Sequence, residues 1–305
     1  MSKLTNPELL RLLACPDCGG ALRESGEALQ CASCAREFEI RTGIPLLYSK
    51  DTDFEHMREE ENLAKMMVAP RLNAKERFSA EQWALSKDEF WSIVDRTAER
   101  GGQSFINLGC GYDERFQRIQ QQGNTFVNFD MIYDMLHGLQ TKAGARSCVG
   151  GDINHLPFKK GSFDYAISID LIHHESNDLP RLLQSFRDLL RPGGTLFLED
   201  PNAWGLFQMW KSVLLPKPIY RALRSAYHRI KRSEHRPADY EFPTSVWRVK
   251  SILQALGFRD IEFYPHTAYP AIGGSNYWIY QLLSNRSEYL RKYSNFHYML
   301  SAVRT

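Results

Sequence analysis

Four cysteines within twenty residues constrain this chain more than any other feature of its sequence. Cys15-Pro-Asp-Cys18 and Cys31-Ala-Ser-Cys34 are two Cys-x-x-Cys pairs separated by twelve residues. Each pair folds as a tight knuckle. Two knuckles brought together present four thiolates at the corners of a tetrahedron, the closed geometry of structural zinc. The separation is enough for a hairpin through Gly20–Gly26, so the first 49 residues are expected to form a zinc ribbon with Cys15, Cys18, Cys31 and Cys34 as ligands. Four protein ligands leave no open position for substrate, so the metal is structural. A redox site would need one Cys-x-x-Cys beside a βαβ unit. The other cysteines, Cys110 and Cys148, stand alone, which points to a reducing, cytoplasmic setting and not a disulfide framework.

The rest of the chain changes texture twice. Residues 50–102 read as a helical linker or cap, with the charged run Arg58-Glu59-Glu60-Glu61 and apolar anchors at Phe78, Trp83, Phe90, Trp91 and Val94. Gly101-Gly102 stops it. From Ser104 short apolar runs alternate with helical stretches. Strands are expected near 104–109, 125–129, 145–149, 163–169, 194–199, 259–264 and 277–283. Helices are expected near 113–122, 131–142, 178–191 and 245–256. This order predicts an α/β fold, a parallel sheet with helices on both faces, over residues 103–285. An insertion at 203–243 interrupts it, and 286–305 reads as a polar C-terminal tail. No apolar run approaches the ~18 residues of a spanning helix, and the N-terminus lacks the pattern of a signal peptide. Net charge is only +2, so any affinity for nucleic acid must come from a local patch.

The words around the cysteines carry a resemblance. Leu12-Leu13-Ala14-Cys15-Pro16, followed by Arg41-Thr42-Gly43-Ile44-Pro45, is similar to the small zinc-ribbon proteins that bind and activate methyltransferases. The resemblance covers about residues 9–49 and implies a stabilising, docking module supplied in cis.

Ser104-Phe-Ile-Asn-Leu-Gly109-Cys-Gly111 is a strand running into a glycine turn, where bare backbone can approach a ligand. A dinucleotide fingerprint would require glycine at 114, which is Glu114. The second strand ends at Asp130, placed to accept hydrogen bonds from ribose hydroxyls. The third ends in Gly151-Asp152-Ile153, where a carboxylate can accept from an adenine amino group beside an apolar face. Leu156-Pro-Phe, Gly161-Ser-Phe-Asp-Tyr and Leu190-Arg-Pro-Gly-Gly-Thr follow in order.

Together these phrases resemble the class I S-adenosylmethionine-dependent methyltransferases over residues 104–200. The resemblance implies their Rossmann-like seven-stranded sheet and S-adenosylmethionine as cofactor. Carried over, it puts Gly109 and Gly111 on the methionine and ribose side. Asp130, with Met131 beside it, takes the ribose, Asp152 and Ile153 the adenine, and Asp170 the methyl-donor region. Two positions depart from the pattern. Asn107 replaces the usual acid and brings a carbonyl but no charge, and Asp113 replaces a third glycine. The phrase Gly-Tyr-Asp-Glu-Arg-Phe resembles a leucine carboxyl methyltransferase turn. There Arg115 either binds the cofactor carboxylate or is a solvated helix arginine.

Methyl transfer from a sulfonium needs alignment of the nucleophile and, for some acceptors, removal of a proton. His173 or His174, after the fourth strand, is a candidate base, with Glu175 orienting the ring. The stronger reading is a paired histidine common to the resembling family whatever its substrate. No Asn/Asp-Pro-Pro-aromatic phrase follows that strand, which weighs against amino methylation of nucleobases or glutamine. Asp200-Pro201-Asn202 lines the acceptor pocket or is a simple turn.

The insertion interleaves Trp204, Phe207, Trp210, Tyr220, Tyr227 and Tyr240 with basic residues from Lys211 to Arg236. It is expected to cap the acceptor site, with His235 and Tyr240 as further acceptor-site candidates. Residues 211–236 offer contact to a membrane surface or an anionic ligand, or are simply a solvated basic face. The favoured acceptor is a small molecule, glycan or lipid-linked group. The alternatives are ribosomal or transfer RNA, docked through the ribbon and basic segment, and a non-catalytic scaffold with a decayed cofactor site.

Overall fold

The computed structural model describes residues 4, 6–68, 88–174, 178–205, 219, 243–265, 286–294 and 297–305. A 3-10 turn, Pro7–Arg11, leads into four short strands: β1 (Leu22–Ser25), β2 (Ala28–Cys31), β3 (Glu37–Arg41) and β4 (Ile44–Leu47). Helix α1 (Phe54–Val68) follows, and a second helix, α2, runs through 88–98. Then come β5 (Ser104–Leu108), α3 (Phe116–Gln121), β6 (Thr125–Asp130), α4 (Tyr133–Ala143), β7 (Cys148–Gly151) and β8 (Phe163–Ile169). The remainder is α5 (Leu179–Leu189), β9 (Leu190–Pro201), α6 (Val246–Ala255), β10 (Phe258–Tyr264), α7 (Glu288–Tyr293) and β11 (His297–Arg304).

All the described strands join one 11-stranded sheet, ordered β1-β2-β3-β4-β7-β6-β5-β8-β9-β11-β10. Of the seven from β7 to β10, six fall where strands were expected, and the seventh is β11. β7, β6, β5, β8 and β9 run parallel, and β11 lies antiparallel between β9 and β10. Period-2 alternation sorts the side chains to two faces. Ile106, Val127 and Ala166 face a core shared with α5 and α6, whereas Phe105, Phe126 and Ile167 face one shared with α2, α3 and α4. Helix α5 shows why each element forms where it does. Asp178 caps its N-terminus by accepting from the Arg181 N–H, and Leu179, Leu182, Leu183 and Phe186 recur on one buried stripe.

Two expectations change. Residues 286–305 are not a tail: His297–Arg304 is an interior strand, hydrogen-bonded on both sides. Its first six residues are all buried, so it lacks the alternation that would have marked it, and its polar flanks hide the apolar run. The ribbon is also not a separate appendage. β4 pairs parallel with β7, Leu46 opposite Gly150 and Leu47 opposite Gly151, and so extends the α/β sheet. The glycines let the strands approach closely: a Cβ on Gly150 would sit 2.7 Å from the Leu46 side chain, and one on Gly151 2.9 Å from Phe129 and 3.1 Å from the Leu47 carbonyl oxygen. The expected strand at 277–283, the anchors Phe78 and Trp83, Glu175, and the insertion residues 206–242 other than 219 lie outside the described residues. Among the described residues no helix is long and apolar enough to cross a membrane.

Candidate active site

The chain leaves β5 toward β6 on one side and returns to β8 on the other, so the carboxyl ends of β5 and β8 flank a topological switch point, where open α/β sheets bind ligands. Gly109 and Gly111 form the turn there, with φ of +63° and +52°. The two differ. A Cβ on Gly109 would meet Leu171 at 2.7 Å, so the loop after β8 packs directly on this turn. Above Gly111 nothing lies within 4 Å, leaving an open cradle that a side chain would fill.

Asp130, at the end of β6, closes the turn from the far side. Its Oδ2 accepts the Gly111 N–H and its Oδ1 the Ile132 N–H, both at 2.8 Å. Burial pushes this carboxyl above the ordinary carboxylate range, against the pull of the backbone donors at Ile132, Gly111 and Met131. Met131 contributes its carbonyl to the Tyr48 hydroxyl at 2.7 Å, so a ribbon residue holds the chain immediately after Asp130. Asp152 is buried and braces its own turn, accepting from the Asn154 N–H and lying 3.2 Å from His155 Nδ1, with Ile153 in the core beside it. Asn107 is buried at the end of β5, and its Oδ1 has no hydrogen-bond partner among the described residues. An orphaned buried acceptor fits a ligand donor such as an amino group.

Arg115 turns the other way. Its guanidinium binds Asp88 at 2.5 Å and Asp113 at 3.1 Å, and Asp113 also accepts from the Trp91 indole at 2.9 Å. Asp113, where the resemblance calls for glycine, ties α2 to the turn, and Arg115 takes part in that brace.

Past β8, Asp170 takes φ +51°, a left-handed conformation that aspartate tolerates better than most residues. The elements around it assemble a buried polar cluster. His297, from β11, lies 3.6 Å from Asp170 through Nε2 and 3.0 Å from Glu199 through Nδ1. His173 Nδ1 lies 2.9 Å from Asp200 Oδ1. Asp200 Oδ2 accepts the Thr244 hydroxyl at 3.0 Å, so the Tyr298 hydroxyl, 2.6 Å from Thr244 Oγ1, must be the donor there. The His174 ring lies 4.1 Å from that of His173, centre to centre, tilted by 39°. Burial raises the Asp200 carboxyl, opposed by His173. The sequence offered no sign of His297, Thr244 or Tyr298. For Glu199 and Asp200 the signal was two acids in succession at the end of an apolar strand.

The cysteine cluster is apart from this site. All four Sγ atoms lie within 4.8 Å of one another, with Cys15 and Cys34 at 3.7 Å and Cys18 and Cys31 at 3.5 Å. A tetrahedron with Zn–S bonds of about 2.3 Å has edges of about 3.8 Å, close to the two distances above, so the four sulfurs are grouped as a zinc ion requires. The N–H groups of Ser33 and Cys34 point at Cys31 Sγ, as a thiolate requires.

A family described as a methyltransferase domain matches residues 106–198, and one described as Trm112p-like protein matches residues 6–43. A malonyl-[acyl-carrier protein] O-methyltransferase of Erwinia billingiae is 31% identical over 134 residues, 43% of this chain and 53% of its own. A tRNA U34 carboxymethyltransferase of Idiomarina loihiensis is 25% identical over 184 residues, 57% of this chain and 51% of its own. The chain therefore spans about half the length of these curated relatives. Among solved structures, a possible exported protein of Bordetella parapertussis is alike in fold, with a TM-score of 0.50 at 16% identity over 81% of this chain and 79% of that one.

Proposed function

We propose, from the premise that this chain joins a Trm112p-like segment to a methyltransferase domain, that it transfers a methyl group from S-adenosylmethionine to a small-molecule, glycan or lipid-linked acceptor. The observation that carries the reading is the set at the switch point: the open cradle over Gly111, the buried Asp130 carboxylate beneath it and the orphaned Asn107 Oδ1. These residues fit the donor. Asp130 would accept from the ribose hydroxyls, Asn107 from the amino group, and Asp152 from the adenine amino group, with Ile153 packing on the base. Asp170 would face the methyl-donor region. Bound there, the cofactor supplies a methyl group already activated on a sulfonium sulfur, so the chain's own work is to align the acceptor and exclude water. The zinc holds the ribbon, and the ribbon holds Tyr48 against Met131.

The test has two arms. Calorimetry asks whether the protein binds S-adenosylmethionine and whether Asp130→Asn weakens it. Labelled-methyl transfer over host-cell extract divided into RNA, protein, lipid and glycan fractions asks what is modified. Failure of wild type to bind would sink the reading and leave a non-catalytic scaffold. A second reading, an RNA acceptor, is favoured by the Idiomarina relative and by the basic run at 211–236. It requires label in the RNA fraction and an RNA affinity that falls steeply with salt.

A further inference from the structure

We propose that His173 is the general base of the transfer, that Asp200 is its positioning residue, and that the acceptor atom is therefore the oxygen of a hydroxyl group. The inference rests on the methyl-transfer reading and adds the acceptor chemistry to it.

The argument begins with the tautomer. Asp200 is completely buried at the end of β9, and its two oxygens have different partners: Oδ1 the His173 Nδ1 at 2.9 Å, Oδ2 the Thr244 hydroxyl at 3.0 Å. Tyr298 donates to Thr244 behind it, and burial, with the nearby Asp200 charge, keeps that phenol protonated. Every donor in the chain thus points toward Asp200, and the carboxylate draws the imidazole proton to Nδ1. The basic lone pair of the ring then lies on Nε2.

Position is the second strand of the argument. His173 belongs to the loop whose Leu171 rests on Gly109, so the ring is carried by the wall of the cofactor turn and not by a distant surface. Its neighbour Asp170 is fixed in a left-handed conformation by β8 and β9, with its N–H on the Glu199 carbonyl at 3.0 Å. Among the described residues, the charged and titratable groups around the dyad include Asp170, His174, His297, Glu199 and Tyr298. Among the described residues His173 contacts Asp200 directly, and His297 acts on it from farther away.

Chemistry selects the acceptor. A carboxylate is already ionised near neutral pH and needs no base, and an amine can enter as its neutral fraction with the lone pair available. A hydroxyl is a poor nucleophile until its proton departs, which is the task an oriented imidazole performs. In the step, the hydroxyl proton passes to His173 Nε2 as the acceptor oxygen bonds to the methyl carbon. The carbon–sulfur pair stays on sulfur, and the Nε2 proton is then released to water. The product is a methyl ether.

The full-length protein is given methyl-labelled S-adenosylmethionine and the same extract fractions, and the labelled product is treated with mild alkali. Label that survives as an ether is expected. Volatile methanol from an ester, or N-methyl product, overturns the hydroxyl assignment while leaving methyl transfer standing. No label in any fraction sinks the transfer reading itself and this one with it. His173→Gln is expected to lose about 100-fold or more in rate at neutral pH, with the remaining rate rising with pH, while cofactor affinity stays within about threefold. A loss under about threefold overturns the base. Independent of turnover, nitrogen-15 NMR of the imidazoles should find His173 protonated at Nδ1 in wild type and redistributed in Asp200→Asn. A wild-type ring protonated at Nε2 alone overturns the proposal even where the variants do not fold.

Discussion

Replacing Asp130 with asparagine separates the site's chemistry from its architecture. Both carboxylate oxygens of Asp130 already accept a backbone N–H at 2.8 Å, from Gly111 and Ile132. An amide can satisfy one of these and must turn its NH2 toward the other. That costs about 1–3 kcal/mol for an unmade buried bond. The same change removes a charge that burial disfavours, so the two effects oppose each other. With 1 kcal/mol worth about 2 °C in a chain of this size, the unliganded protein should lose under about 5 °C in Tm.

Cofactor affinity has no such offset. Two ribose hydroxyls donating to a charged acceptor contribute roughly 4 kcal/mol, against about 1 for a single neutral bond to the amide. The difference of about 3 kcal/mol is a loss of about 150-fold in affinity. The pH dependence follows from the raised carboxyl. Protonation is favoured by folding, so the stability this group lends the unliganded protein is complete below its unfolded value of 3.8 and is lost as pH rises through the folded value. Cofactor binding runs the other way, because the hydroxyls need the ionised acceptor. Affinity should fall as pH drops toward 3.8, beginning at higher pH than for an ordinary aspartate. Calorimetry and thermal unfolding across that range measure both trends, and Asp130→Asn should flatten both. An unchanged Kd in the variant, or a large fall in Tm with intact binding, would refute the assignment of Asp130 to the cofactor.

Three further outcomes are expected. Chelation of the metal, or Cys31→Ser, should remove one zinc per chain by mass spectrometry and strip hydrogen-exchange protection from β1–β3 first, since these strands are held together through the knuckles. Ala35 follows the second knuckle at φ +59°, which costs an alanine about 1 kcal/mol, so Ala35→Gly should raise the free energy of unfolding, read by urea titration, by at most about that amount, less the added freedom of the unfolded chain. Gly150→Val forces side-chain atoms into Leu46 and should cost about 1–3 kcal/mol, with amides of β4 losing protection before those of β5.

The elements legible in the sequence were those whose signals are local. Cys-x-x-Cys spacing announces itself within four residues, and the strand edges at Leu108, Asp130 and Ile169 fall where apolar runs meet glycine or acid. Helix α5 was readable because a capping aspartate and a buried stripe agree. What stayed hidden depends on register between distant segments. Nothing near His297 says that it will lie beside Glu199 and Asp170, and nothing near Thr244 says that it will donate to Asp200; the first contact exists only once β11 is inserted between β9 and β10, the second only once Thr244 bridges to Asn202 at the end of β9.

The join between ribbon and sheet falls between these cases. Gly150-Gly151 at the end of a buried strand signals that another backbone comes close, but does not say which one. The structure supplies the answer in β4, and the consequence reaches the site. Asp17, inside the first knuckle, accepts from Arg36, from the Ser49 hydroxyl and from the Lys50 N–H; Arg36 in turn donates to the Tyr48 carbonyl at 2.9 Å. The Tyr48 hydroxyl then reaches Met131, the residue after Asp130. A ribbon swinging on a flexible tether could not keep that hydroxyl on one carbonyl. Pairing β4 with β7 fixes its distance and direction, which is the physical reason for building the knuckles into the same sheet as the cofactor turn.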